Sequence, residues 1–256
     1  MLDIHSHIIP EIDDGADSFE IFFEMAKIAQ EDGVETIVAT PHFIAGRYET
    51  DYETVKKHVN DLNLYLKNQN IQINILAGQE ILISKDLLSY LHQGLISPIN
   101  DTNYMLVELP FDEIPKYTFD ILYELKIKNI TPIVAHPERY LEIIKQPEKI
   151  NDFIDEGCLF QINSSSLLGY FGKDVKNTAT LFLKHNIVDF IGSDCHDSIR
   201  RKPKVNEALN IIKNTKRDVY EKILLNSKSF LQNESITTSA EKIKPKKSFF
   251  SFFLRG

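Results

Sequence analysis

Seven short apolar, β-branched segments recur along the chain, at 2–5, 35–40, 72–77, 104–109, 131–135, 158–163 and 188–193. They run as near-continuous apolar stretches, the pattern of strands buried on both faces. Between them the apolar positions switch to helical spacing. Over 18–32, Phe19, Phe22, Phe23, Met25, Ala26 and Ala29 fall largely on one stripe, and Gly33 follows as a C-terminal stop. Val55, Val59, Leu62 and Leu66 mark a helix over 51–68. Phe119, Leu122 and Leu125 mark one over 115–128, and Val175, Ala179, Phe182 and Leu183 one over 169–185. Strand and helix alternating about seven times predict a parallel α/β fold. From Asn233 the apolar periodicity is lost, so 1–232 is expected to be the folded domain and 233–256 an appendage.

An open doubly wound sheet and a closed barrel share this alternation. Open sheets concentrate their chemistry at one switch point, whereas barrels spread it over the C-terminal ends of many strands. Here the polar residues decide. The first strand delivers His5 and His7, then Asp13 and Asp14. The second ends at His42, the third at Glu80 and the fourth at Glu108. The fifth ends at His136, with Glu138 and Arg139 just beyond, and the seventh at Asp194 and His196. Chemistry at so many strand ends predicts the barrel.

Five of the eight histidines sit at these ends, and only His58, His92 and His185 lie in helical stretches. One such residue alone would ordinarily be structural, and Asp194 alone could be a cap. Packing does not explain their conjunction at one end of many strands. His5 and His7, two apart on an extended strand, face the same way. Imidazole and carboxylate together suit zinc, manganese, iron or a similar divalent ion. Nine candidate ligands exceed the roughly four that one ion takes, which points to two or three ions. Close carboxylates also repel unless cations lie between them. Arg139 and Arg201 follow His136 and His196 closely, and guanidinium groups beside cations suit a phosphate. Arg47 and Arg200 are weaker candidates on the same logic.

Composition narrows the partners. The chain has 256 residues, 43% hydrophobic and 26% charged, enough apolar material for a large core. Its net charge of −8 argues against nucleic acid as a general partner. No apolar run approaches the length of about 18 residues that spans a bilayer. A polar cluster directly after Met1 and Leu2 leaves no room for a signal peptide. Two cysteines supply neither a disulfide framework nor a Cys-rich zinc site, so the expected compartment is reducing and cytoplasmic. Cys195 and Arg201 form C-x5-R, the spacing of cysteine-dependent tyrosine phosphatases. Such loops wrap phosphate with backbone amides, usually helped by Gly, and none occurs here. Cys195 also sits between two candidate ligands, and alternation turns its side chain away from theirs.

With these residues assembled, the chain resembles the PHP superfamily of metal-dependent phosphoesterases. Within it, the likeness is to bacterial tyrosine-protein phosphatases of the CpsB/CapC type, from capsule and exopolysaccharide systems. DIHSHIIPEIDDGA, EMAKIAQEDGVETIVATPH, GQEI, VELPF, PIVAHPER, QINSSSLLGYFG and GSDCH carry it, from residue 2 to about 200. The resemblance implies a distorted (β/α)7 TIM-like barrel with a trinuclear centre, commonly of manganese, with zinc, iron(II) or cobalt(II) as alternatives. Carried over, His5, His7, Glu80 and Asp194 would hold the first ion. Glu80, Glu108 and His136 would hold the second, and Asp14, His42 and His196 the third. Arg139 and Arg201 would grip the phosphate while a hydroxide bridging the ions attacks phosphorus in line. The family often reads TPHH where this chain reads TPHF, and Phe43 cannot ligate.

The implied substrate is a phosphotyrosine peptide, the tyrosine-rich tail of a bacterial kinase. A small phosphate ester, as in histidinol-phosphatase relatives, and a non-catalytic kinase-binding regulator are the rival readings. Residues 235–256 carry five basic side chains against Glu241, and the end reads KPKKSFFSFFLRG. Lys and Phe together attract an anionic lipid surface, so peripheral membrane contact is one reading of this tail and a disordered solubilising end the other.

Overall fold

A computed structural model describes residues 1–245; the last eleven residues, which hold the Phe-rich part of the tail, lie outside the described residues. Among the described residues there are nine strand segments: β1 (Leu2–Ser6), β2 (Thr36–Ala39), β3 (His42–Phe43), β4 (Asn74–Ala77), β5 (Glu80–Leu82), β6 (Tyr104–Glu108), β7 (Thr131–Ala135), β8 (Leu159–Asn163) and β9 (Phe190–Gly192). All their pairings are parallel. The sequence reading expects seven strands, and seven staves are what the segments build. β2 and β3 are one stave interrupted at Thr40 and Pro41, where proline has no N–H to give the ladder. β4 and β5 are one stave interrupted at Gly78 and Gln79.

The lower halves form the order β1-β2-β4, and the upper halves continue as β3-β5-β6-β7-β8-β9. The two ends of this curled sheet then meet. Asp194 N donates to His5 O at 2.8 Å, and His7 N donates to Cys195 O at 2.9 Å. Deeper in the seam the buried Asp3 accepts from Ser193 N at 2.8 Å, and burial pushes its carboxyl up to about 6. The result is a distorted (β/α)7 barrel.

Closure explains the continuous apolar strands. Ile4, Val38, Leu106, Ile133, Leu159 and Phe190 pack inside the barrel, while Ile37, Ile75, Val107, Val134, Phe160 and Ile191 face the helices. The four helices read from periodicity are present as Phe19–Glu31, Tyr52–Asn68, Thr118–Ile127 and Lys173–Lys184. Ser18 and Asp51 cap the first two, accepting from Ile21 N and Thr54 N. Two C-terminal helices, Asn206–Thr215 and Arg217–Leu231, add to these, with four short ones of five or six residues elsewhere. The short ones hold too few turns to show a period. Arg217–Leu231 seats Phe230 in the barrel floor, and its Lys222 pairs at 3.1 Å with the fully buried Asp189. Asp189 also accepts from Phe160 N, so this ion pair ties the last helix to β8.

The segment after Leu231 departs from the expected appendage as far as it is described. Asn233 accepts from Asn103 N at 2.9 Å, Ile236 N donates to Tyr104 Oη at 3.1 Å, and Glu241 N donates to His185 O at 2.7 Å. Asn151 brackets the buried Ile243 with two backbone bonds. These contacts strap residues 233–243 across the barrel floor, opposite the mouth. Among the described residues, no helix is long and apolar enough to cross a membrane.

One glycine sets how closely the staves approach under the mouth. A Cβ on Gly192 would lie 2.6 Å from His5 Cβ and 2.8 Å from Gln161 Nε2. Gly192→Ala is therefore expected to lower stability by about 1–3 kcal/mol through overpacking. Urea denaturation monitored by circular dichroism measures it, and an unchanged midpoint would contradict this account of the seam.

Candidate metal centre

All nine residues singled out as candidate ligands converge on the C-terminal mouth of the barrel. His5 on β1 and His7 just beyond it meet with their Nε2 atoms 3.3 Å apart. Glu80, opening β5, places Oε2 3.2 Å from each of them and Oε1 2.8 Å from His136 Nε2. Asp194, beyond β9, puts Oδ1 3.7 Å from His5 and 3.5 Å from His7. His42 Nδ1 lies 3.1 Å from Glu80 and 3.8 Å from Glu108 at the end of β6. Outermost, Asp14 Oδ1 lies 3.5 Å from both His42 Nε2 and His196 Nε2. Three groups of donor atoms lie close enough to share an ion: His5, His7 and Glu80; His42, Glu80 and Glu108; and His7, Asp14, His42 and His196.

The electrostatics of this cluster fit divalent cations. Glu80, Glu108 and Asp194 are 1%, 5% and 2% exposed. Burial, then the neighbouring Glu80 and Asp194 charges, pushes Glu108 well above the usual carboxylate range. Glu80 is buried as deeply, yet His5, His136 and His7 outweigh that and hold it well below its ordinary value. Burial pushes His42, His136 and His196 down, His136 to about 4, which favours the neutral imidazole that a metal ion binds. Burial lowers His5 and His7 as well, but the carboxylates around them outweigh it and raise both. The buried His42 Nδ1 stands near two carboxylates without hydrogen-bond geometry to either. A cation between these atoms would satisfy what hydrogen bonds leave open.

Supporting residues fix the imidazoles. Asp13 Oδ2 lies 2.7 Å from His7 Nδ1 and also accepts from His42 N. This places the His7 proton on Nδ1 and turns the Nε2 lone pair inward. Gln161 Oε1 does the same for His5 Nδ1 at 2.9 Å and accepts from His136 N. Gln161 Nε2 donates to Asn163 Oδ1, and Asn163 Nδ2 donates at 2.6 Å to Asp194 Oδ2. Glu138 accepts from Asn163 N and Ser166 Oγ, and burial pushes its carboxyl up to about 7. The sequence reading assigned nothing to Gln161 and Asn163. Two amides two residues apart in an otherwise apolar strand were the available signal, since that spacing puts both on one face.

Two residues of the cluster carry unusual backbones. His136 (φ 30°) and Asp194 (φ 51°) both adopt left-handed conformations that ordinary residues avoid. Such residues cost about 1–3 kcal/mol each and cluster at functional sites.

Both arginines reach the mouth. Arg139 Nη1 lies 2.8 Å from Asp194 Oδ2, and Arg201 Nη2 lies 2.7 Å from Asp194 Oδ1. Arg139 is sandwiched between the rings of Phe111 and Phe171, at 4.7 and 4.3 Å. Both arginines line a cavity of about 110 Å3 with Asp14, His42, Glu80, Glu108, His136, Asp194 and His196. Arg47 instead lies over Tyr48, and Arg200 points into a neighbouring groove. Phe43 turns into the core, its ring 5.5 Å from Tyr90. Cys195 is fully buried, and burial, then the Asp3 charge, drives its thiol far above its ordinary range, so it offers no thiolate.

Comparison with known proteins agrees with this geometry. The chain is 34% identical over 254 residues to the tyrosine-protein phosphatase YwqE of Bacillus subtilis, covering 99% of this chain and all of that protein. It is 37% identical over 238 residues to the putative tyrosine-protein phosphatase CapC of Staphylococcus aureus, covering 93% of each. A solved structure from work on YwqE of Bacillus subtilis and CpsB of Streptococcus pneumoniae, described as metal-dependent tyrosine phosphatases, superposes with a TM-score of 0.91. That match has 34% identity and covers 95% of this chain and all of the other. Residues 1–232 match the family described as capsular polysaccharide synthesis, CpsB/CapC, and the chain belongs to that family.

Proposed function

We propose that this protein is a metal-dependent protein-tyrosine phosphatase that hydrolyses phosphotyrosine on a bacterial tyrosine kinase of capsule or exopolysaccharide synthesis. The observation that carries the chemistry is the convergence of three imidazoles, four carboxylates and two guanidinium groups on one small cavity, with His5 and His7 buried against its Glu80. His5, His7, Glu80 and Asp194 would hold one ion, Glu80, Glu108 and His136 a second, and Asp14, His42 and His196 a third. Manganese is the ion of choice in this reading. Bound divalent cations supply a water-derived nucleophile at neutral pH and neutralise phosphoryl charge.

The chain's own residues do the rest. Arg139 and Arg201 take the non-bridging phosphoryl oxygens and stabilise the charge that grows on them. Phe111 and Phe171 keep Arg139 from swinging into solvent. Asp13 and Gln161 hold the protons of His7 and His5 on Nδ1, so both Nε2 lone pairs stay directed inward. Tyrosine leaves as a phenolate of pKa about 10, so its departure asks little of a general acid. Within this reading the tail brings the enzyme to the anionic membrane surface where such a kinase resides. Liposome co-sedimentation of the full chain against residues 1–234 tests that, and equal binding would remove it.

Four outcomes check the site. EDTA should abolish turnover of p-nitrophenyl phosphate and phosphotyrosine peptide, and added manganese should restore it. Cys195→Ser should leave both rates nearly unchanged; activity that survives EDTA but dies with Cys195→Ser would reverse the reading. Asp13→Asn should weaken manganese activation about 10–100-fold with the fold intact, by loss of the His7 partner. A manganese titration of the stripped enzyme measures this, and an unshifted midpoint would remove Asp13 from the role. Arg139→Lys should lower kcat/KM about 10²-fold, because an ammonium cannot reproduce the two-pronged guanidinium contact. Steady-state kinetics decide it, and a change under twofold would show that Arg139 does not touch the phosphoryl group.

A further inference from the structure

Beside the metal cavity a second depression opens, of about 550 Å3 against about 110 Å3. Clefts that hold whole ligands usually span about 300–1,000 Å3. The smaller cavity is sized for a phosphoryl group, and the larger has room for the chain that carries it. Two segments wall this groove: 164–171 after β8, which opens on the short helix Ser164–Leu168, and 199–207 after β9, which runs into the helix Asn206–Thr215. The groove begins at the phosphate grip, since Arg201 lines both cavities and Phe171 in its wall packs on Arg139.

Its walls carry Arg200, Lys202 and Lys204 against Glu207 alone, on a chain of net charge −8. These three basic side chains are exposed, and among the described residues none makes an ion pair. Tyr170 and Ile199 stand in the same groove, 70% and 75% exposed. An apolar pair set among unpaired cations, contiguous with a phosphate site, complements an extended peptide with acidic side chains.

We propose that this groove binds the polypeptide flanking the phosphotyrosine and selects acidic residues there, with Lys202, Lys204 and Arg200 as the charge readers and Tyr170 as the apolar contact. The inference rests on the phosphotyrosine reading above. Specificity then comes from outside the metal centre: the ions and Arg139 treat every phosphate ester alike, and the groove distinguishes what the ester is attached to. The attraction is screened by salt, because both partners are solvent-exposed.

The test compares three substrates on the full-length, manganese-loaded protein: a phosphotyrosine peptide flanked by Glu, the same peptide flanked by Ala, and p-nitrophenyl phosphate. The wild type should show a KM about tenfold lower for the Glu peptide than for the Ala peptide, a gap that closes in high salt. Lys202→Glu with Lys204→Glu should raise KM for the Glu peptide about tenfold, leaving kcat and the p-nitrophenyl phosphate rate within about twofold. Tyr170→Ala should raise KM for both peptides and leave p-nitrophenyl phosphate unaffected. Equal KM values for the two peptides in the wild type overturn the inference while leaving the phosphotyrosine reading intact. So does a double variant that slows all three substrates alike, because that marks damage to the centre. A wild type that cleaves p-nitrophenyl phosphate but neither peptide overturns the phosphotyrosine reading, and this inference with it.

Discussion

Glu80, Glu108 and Asp194 crowd three carboxylates into a mouth that water barely reaches, and the rest of the molecule is arranged around that cost. Like charges this close raise each other's proton affinity, as Glu108 shows. Imidazoles alone do not resolve the cluster, since burial pushes three of the five toward the neutral form. The balance comes from Arg139 and Arg201 at the rim and from the divalent cations that the donor set fits. A donor set built this way suits divalent cations, which would offset the crowded carboxylate charge.

The barrel makes such crowding possible by spreading the nine candidate ligands over the ends of six staves. A single helix or loop could not hold nine donors so close, because neighbours in sequence diverge in space. Seven parallel staves whose C-terminal ends share one rim bring the donors together without local strain in most cases. The exceptions are His136 and Asp194, whose left-handed backbones turn their side chains inward at the rim. Beneath them, β8 supplies no ligand and instead stitches the floor. Its Gln161 and Asn163 link His5, His136 and Asp194 into one hydrogen-bonded chain. Gly192 leaves the space that this chain occupies. Rigidity at the floor and charge at the rim are thus two consequences of one closed sheet.

Charge also changes sign outward. The centre is rich in carboxylates, the rim carries two arginines, and the adjacent groove carries three more cations on an acidic protein. An anionic ester approaching the mouth meets positive charge first and the metal ligands last. The strapped segment 233–243 lies on the opposite floor, so it leaves the mouth clear.

Much of this was legible in the chain itself. Apolar runs without alternation declared strands buried on both faces, and five histidines at strand ends declared both the barrel and its chemistry. The ligand residues could be named because each sits where a periodic pattern stops, a purely local signal. Three things were not local. Gln161 and Asn163 became interpretable only when closure of β1 against β9 brought His5 and Asp194 within reach of β8. The helices after residue 200 are amphipathic, but their place depends on Phe230 filling the barrel floor and Lys222 meeting Asp189. The segment 233–243 looks unstructured because its partners, Tyr104, Asn151 and His185, lie far away in sequence. The sequence by itself determined the staves and named the candidate ligands and the two candidate arginines, because secondary structure and metal chemistry are written in residue type and spacing. Only the tertiary structure decided which donors meet, what orients them and where a basic groove opens, because those depend on distances between residues that the chain keeps apart.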